Sequence, residues 1–150
     1  MNLAEIIKSD RIKLNMTATS KDEALKELTD LLYESGALSN KESFLEDVDF
    51  REKAGITGIG NGIAIPHGKS KFVKDTSVAI GLVKKGIKWD TIDDLPVKLI
   101  VLFAVNENDK TGMHVRLLSK MARKMANEEV CQRLVQASSP DEILQIFSGE

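Results

Sequence analysis

Val97-Lys98-Leu99-Ile100-Val101-Leu102-Phe103-Ala104-Val105 contains the longest apolar run of the chain, residues 99–105. It is far shorter than the roughly 20 apolar residues that span a bilayer. A stretch this uniformly apolar fits a central strand covered on both faces. Working outward, residues 76–83 read as a second strand of small and branched side chains, with Gly86 as the turn residue after it. Ile63-Ala64-Ile65 is too short for a helix and reads as a buried strand or extended segment. Residues 11–14 alternate with period two, as an edge segment following a short helical turn would.

Helical patterns surround these strands. Ser20 with Glu23 is a capping-box pair. It opens a helix whose stripe is Ala24, Leu25, Leu28, Leu31 and Leu32, stopped by Gly36. Ser39 with Glu42 repeats the pattern for a helix starting near Ser39 or Asn40. That helix buries Phe44, Leu45 and Val48 and ends near Glu52, which places Arg51 at its C-terminus facing a glycine-rich loop. From Gly112 onward, Val115, Leu118, Met121, Ala122 and Met125 recur at spacings of three and four. Asn127 caps a short helix holding Val130, Cys131, Leu134 and Val135. Ser139-Pro140-Asp141-Glu142 opens a last helix, with proline in its first turn. Strands and helices interleave, so the expected fold is α/β: one layered domain over residues 1–150, a mixed central sheet flanked by helices on both faces. No repeat or linker divides it.

The chain has 150 residues, 42% hydrophobic and 29% charged, which suits one compact domain with a real core. A formal net charge of −2 with both signs scattered argues against nucleic acid as a partner. Lys69, Lys71, Lys74, Lys84, Lys85 and Lys88 make the middle locally basic, as a solvated face or a docking surface for an acidic partner. The single cysteine, Cys131, permits no intrachain disulfide and reads as a small core residue. Met1-Asn2-Leu3-Ala4-Glu5 carries an acid and no apolar run follows, so no secretory signal is expected and the cytoplasm is the default location.

Chemistry concentrates in Gly58-Ile59-Gly60-Asn61-Gly62-Ile63-Ala64-Ile65-Pro66-His67-Gly68-Lys69. Pro66 fixes φ and stiffens the chain just before His67. Gly68 permits a sharp turn or a close backbone approach just after it. A histidine held by a rigid shoulder at the end of a buried segment is well placed to act as a nucleophile. Only one other histidine exists, His114, near a helix start after Thr111-Gly112. Two histidines without a carboxylate or cysteine set are too few for a zinc site.

The run from Thr57 through Ser70 resembles the phosphorylation-site signature of the fructose/mannitol-type enzyme IIA domains of the bacterial phosphoenolpyruvate-dependent sugar phosphotransferase system, most of all the fructose branch. The resemblance extends to Arg51-Glu52, to Gly86-Ile87-Lys88-Trp89 and to His114-Val115-Arg116-Leu117-Leu118-Ser119-Lys120. It implies that His67 is the phosphorylated residue, accepting from the histidine of the carrier HPr and donating to a cysteine of a IIB domain. The membrane is then reached only through a IIC transporter. The resemblance also makes His114 the second active-site histidine and Arg51 the arginine before the signature, and it implies phosphorylation at Nε2. No cofactor or metal is implied.

A neutral imidazole is needed to attack, and donors must stabilise the phosphoryl oxygens. A helix dipole at His114 would favour its neutral form and welcome an anion. Arg51 otherwise reads as a charge at a helix end. Thr57 and Gly58 are phosphate-binding candidates, through the Thr57 hydroxyl and through backbone N–H groups of residues 57–62 arranged as a nest. The Thr57 hydroxyl could equally serve a turn, and Trp89 reads as a packing residue. Two further readings stay open: a regulatory phospho-switch like the nitrogen-related IIA branch, and a metal-dependent hydrolase using both histidines. Residues 106–109 form a polar loop where relatives often carry a proline-containing one.

Overall fold

A computed structural model of the chain describes residues 3–109 and 112–148. Thr111, and Met1 and Asn2 of the opening stretch, lie outside the described residues. In chain order the elements are α1 (Leu3–Ile6), a 3-10 turn (Ser9–Arg11), β1 (Ile12–Lys13), α2 (Lys21–Glu34), α3 (Lys41–Ala54), β2 (Gly58–Gly60), β3 (Ile63–Ala64), β4 (His67–Ser70), β5 (Ser77–Ile87), β6 (Val97–Asn106), α4 (Met113–Met125), α5 (Glu128–Val135) and α6 (Pro140–Ser148).

The run at residues 97–105 is β6, the centre of a mixed sheet ordered β1-β5-β6-β3-β2, with β4 also on β6. β5 lies antiparallel to β6, while β3 and β4 run parallel to it. Its side chains alternate between two cores. Leu99, Val101, Phe103 and Val105 pack with α1, α4, α5 and α6, whereas Ile100, Leu102 and Ala104 pack with α2 and α3. All seven are fully buried, which explains the absence of polar residues from the run. Burying each larger side chain is worth about 1.5–3 kcal/mol. Helices therefore cover both faces, as the interleaved pattern implies.

Local signals act largely as expected. Ser20 caps α2, its side chain accepting from the Glu23 backbone N–H at 3.2 Å. The reciprocal arm falls one residue early: Glu23 Oε1 accepts from Thr19 N at 2.8 Å and from Thr19 Oγ1 at 2.7 Å. Asn127 caps α5 through Val130 N. Three expectations are corrected. Asn40, not Ser39, caps α3, because Ser39 is drawn to the Phe72 carbonyl. α3 runs to Ala54, two residues past Glu52. Gly86 does not end β5: Ile87 still pairs with Val97, and Gly86, at φ 81°, sits in the register shift between Leu82 and Ile87. That shift is a bulge, which inserts residues without ending a strand.

Candidate functional site

His67 opens β4. β3 and β4 keep the same register against β6: Ile63 opposes Leu99, and His67 opposes Phe103. They are one strand interrupted at Pro66. Proline removes a donor from the ladder, while the Pro66 carbonyl still accepts from Phe103 N at 3.0 Å. The imidazole thus stands on a segment anchored on both sides of the proline.

α3 brings Arg51 to it. A Cβ on Gly68 would meet Val48 Cγ2 at 2.8 Å and Val48 N at 3.2 Å, so glycine lets the helix lie directly on β4. Arg51 follows Val48 by one turn, on the same helix face. Its Nε donates to His67 Nε2 at 3.1 Å, and Nδ1 of the same ring lies 3.5 Å from the Ile65 carbonyl. A guanidinium only donates, so Nε2 carries a lone pair and the proton sits on Nδ1. Burial lowers the His67 pKa below its ordinary 6.5, and the Arg51 charge adds to the effect. The Ile65 carbonyl and the Glu52 carboxylate oppose it. The lowered pKa favours the neutral ring at pH 7, with its lone pair on Nε2.

His114 reaches the same place from the first turn of α4. His67, His114 and Arg51 line one cavity of about 340 Å³, walled by apolar groups that include Ile56, Ile59 and Val115. Ile56 and Val115 are 58% and 54% exposed, and Phe50 beside Arg51 is 80% exposed. A larger groove of about 1090 Å³ lies along residues 12–19 and 82–86 and contains no histidine.

Thr57 and Gly58 are placed differently from the phosphate-binding expectation. Thr57 lines the cavity, but its hydroxyl donates to Glu52 Oε1 at 2.9 Å and accepts from Trp89 Nε1 at 3.3 Å. Glu52 also holds Lys21 Nζ at 2.7 Å, and that ammonium sits 5.0 Å from the centre of the Trp89 ring. Gly58 is a packing residue of β2. Residues 57–62 form a hairpin with β3, turning through Asn61 and Gly62 at φ 57° and 82°. Two successive left-handed residues make the turn type that suits a two-residue hairpin. The Asn61 N–H is taken by Asp93 Oδ2 at 2.9 Å. The nest expected there is therefore a sheet edge, and among the described residues Gly58, Gly60, Asn61 and Gly62 lie off the cavity lining.

Sequence reasoning missed Glu52 as the anchor of Thr57 and Asp109 as the partner of the His114 ring. The acid five residues before His114 was the available signal. The lysine cluster splits in two. Lys69, Lys71 and Lys74 fall near the C-terminal end of β6, whereas Lys84, Lys85 and Lys88 flank its start, so they form no common docking face. Cys131 is buried, and Met121 and Met125 lie in the core. No described helix is long and apolar enough to cross a membrane.

Comparison with known proteins supplies the family. Residues 5–150 match the model described as "Phosphoenolpyruvate-dependent sugar phosphotransferase system, EIIA 2". The chain is 37% identical over 145 residues to the 2-O-alpha-mannosyl-D-glycerate-specific EIIABC component of Escherichia coli K12, covering 96% of this chain and 22% of that protein. It is 31% identical over 148 residues to the fructose-specific EIIABC component of Bacillus subtilis 168, covering 99% and 23%. The chain thus spans less than a quarter of either relative. Among solved structures, the nitrogen regulatory protein IIA-Ntr of Neisseria meningitidis superposes with a TM-score of 0.88 at 35% identity, covering 97% of this chain and 98% of that one. The family match covers nearly the whole chain, histidine-bearing strand included: the protein belongs to the EIIA 2 family of the phosphoenolpyruvate-dependent sugar phosphotransferase system.

Proposed function

We propose that His67 takes a phosphoryl group from the phosphohistidine of HPr and passes it to a cysteine of a IIB domain for sugar uptake and phosphorylation. The observation that carries this reading is the Arg51 Nε–H aimed at His67 Nε2 across 3.1 Å. It marks the unprotonated nitrogen and sets a cation where phosphoryl oxygens would arrive. In the step, the Nε2 lone pair forms the new P–N bond. The donor's P–N bond breaks and its electron pair returns to the donor nitrogen, while the His67 Nδ1 proton stays beside the Ile65 carbonyl. Arg51 turns from the lone pair to the phosphoryl oxygens, which is charge stabilisation by a preplaced donor. Transfer onward reverses these roles, with a cysteine thiolate attacking phosphorus. The exposed Ile56 and Val115 on the cavity wall give protein partners an apolar rim on which to exclude water.

The test is phosphorylation with phosphoenolpyruvate, enzyme I and HPr, with the site mapped by mass spectrometry. One acid-labile phosphate on His67, discharged by adding IIB, is the expected result. No uptake from a competent HPr would end the carrier reading.

Arg51→Ala offers a second check. Removing the guanidinium relieves one of the causes that lower the His67 pKa, so the ring titrates at higher pH than in the wild type. Losing one such donor slows transfer by about 10²–10³-fold. An NMR titration of the ring and single-turnover transfer rates measure the two effects. In the wild type the lowered pKa favours the unprotonated nucleophile across pH 7–8, and its loss by protonation sets in at lower pH than for an ordinary histidine. A rate already falling at pH 7.5 through His67 protonation would contradict this.

A regulatory switch of the nitrogen type is the second reading. It is favoured by the likeness to IIA-Ntr, at a TM-score of 0.88 and 35% identity. The discharge step separates the two: phosphate that persists in the presence of IIB favours the switch.

A further inference from the structure

The loop between β6 and α4 carries a carboxylate that the chemistry above does not use. Asp109 belongs to a polar segment, yet its side chain is only 4% exposed. Its Oδ2 accepts from the His114 backbone N–H at 2.9 Å and faces Nδ1 of the same histidine. A carboxylate is costly to bury without partners, and here the partner is the second cavity histidine. The loop is itself braced. Asn106 Nδ2 donates to the carbonyls of Val73 at 2.9 Å and Lys74 at 3.0 Å. Asn108 N and Asp109 N return to Asn106 Oδ1 at 2.8 Å and to its carbonyl at 3.1 Å. A chain of hydrogen bonds therefore runs from the turn between β4 and β5 through Asn106 and Asp109 to the His114 ring.

We infer that Asp109 is a positioning residue for phosphoryl transfer: it holds the Nδ1–H of His114 and so presents Nε2 to the cavity that His114 shares with His67. The inference rests on the carrier reading above. A carboxylate behind a histidine fixes both its tautomer and its ring plane. When Nε2 also carries a proton, it donates to a phosphoryl oxygen, and the carboxylate balances the added charge. Asp109 itself touches neither phosphorus nor its oxygens, and no bond changes beyond the two P–N bonds already described.

The experiment combines ¹⁵N-resolved NMR of the His114 ring with transfer rates from phospho-HPr for the wild type, Asp109→Asn, His114→Ala and the double variant. The wild type is expected to show a protonated, hydrogen-bonded Nδ1 on His114. Asp109→Asn should lose that signature and slow transfer by about 10–100-fold, the usual effect of removing an orienting partner. In the His114→Ala background the same change should cost nothing further, since the two residues act as one unit. The proposal is overturned by any of three results: an unchanged ring signature in Asp109→Asn, an unchanged rate, or equal slowing in both backgrounds. If Asp109→Asn folds poorly, the wild-type spectrum decides, and an Nδ1 without a proton rejects the contact. A wild type with the Nδ1 signature but no phosphoryl uptake instead rejects the carrier reading, and this role with it.

Discussion

Replacing His67 with alanine is expected to abolish acid-labile phosphorylation, to below about 0.1% of the wild-type rate, because the attacking lone pair is removed outright. Among the described residues the other imidazole near the cavity is His114, whose Nδ1 is engaged by Asp109. The same substitution should leave the fold in place. His67 is half-buried at the start of β4, and among the described residues its polar contacts are to Arg51 and the Ile65 carbonyl. Its loss costs on the order of 1 kcal/mol, a typical point-mutant effect. A change in melting point of a few degrees or less, together with complete loss of label, is the expected pair of results. Label that persists on the variant places the phosphoryl group elsewhere. Label and fold lost together would leave the role of His67 undecided by this variant, and His67→Gln, which keeps a polar side chain of similar length, then separates nucleophile from scaffold.

What the residues disclose depends on whether the cause is local. The apolar run at residues 97–105 fixes a doubly covered strand because every side chain in it needs a dry neighbour, and it is the strand on which β3, β4 and β5 assemble. The Ser20 and Asn127 caps are legible for a similar reason, since a helix start is satisfied within three residues. His67, His114 and Arg51 come from the family resemblance, and the structure brings all three to one cavity across 63 residues of chain. Long-range commitments are not legible. Nothing around Thr57 says that its hydroxyl is held by Glu52 and Trp89, the latter 32 residues on. Nothing around Gly86 tells a turn from a bulge, because the difference lies in whether Ile87 still finds Val97. The lysines look like one patch in the sequence, yet β5 and β6 carry them to opposite ends.

Gly58 gives the sharpest contrast between a site and a scaffold reading, and Gly58→Ala is expected to be strongly destabilising. A Cβ there would lie 2.4 Å from Thr91 Cγ2, 2.6 Å from the Asp90 carbonyl oxygen and 3.0 Å from Thr91 Cα. Two of these three atoms are backbone, so no rotamer change relieves the clash. The neighbouring strand segment is also tied down. Ile92 N donates to the Gly58 carbonyl at 3.2 Å, Gly58 bridges Thr91, and Thr91 Oγ1 donates to Asp93 Oδ1 at 3.1 Å. Asp93 in turn holds Asn61 at the hairpin tip. To admit a methyl group the hairpin must move away from residues 90–93. Thr57 then shifts against Glu52 and Trp89, and the wall of the His67 cavity shifts with it. Overpacking of this kind costs about 1–3 kcal/mol. That lowers the melting point of a domain this size by roughly 3–10 °C. Transfer from phospho-HPr should fall only modestly in molecules that remain folded, because His67 and Gly68 lie on β4 and Arg51 on α3 rather than on the β2 hairpin. Thermal melts combined with single-turnover rates below the transition separate the cases. An unchanged melting point with a rate lowered 100-fold would return Gly58 to the phosphate site, its backbone N–H serving the anion. A large fall in melting point with near-normal transfer would establish it as the glycine that lets the hairpin close against Thr91.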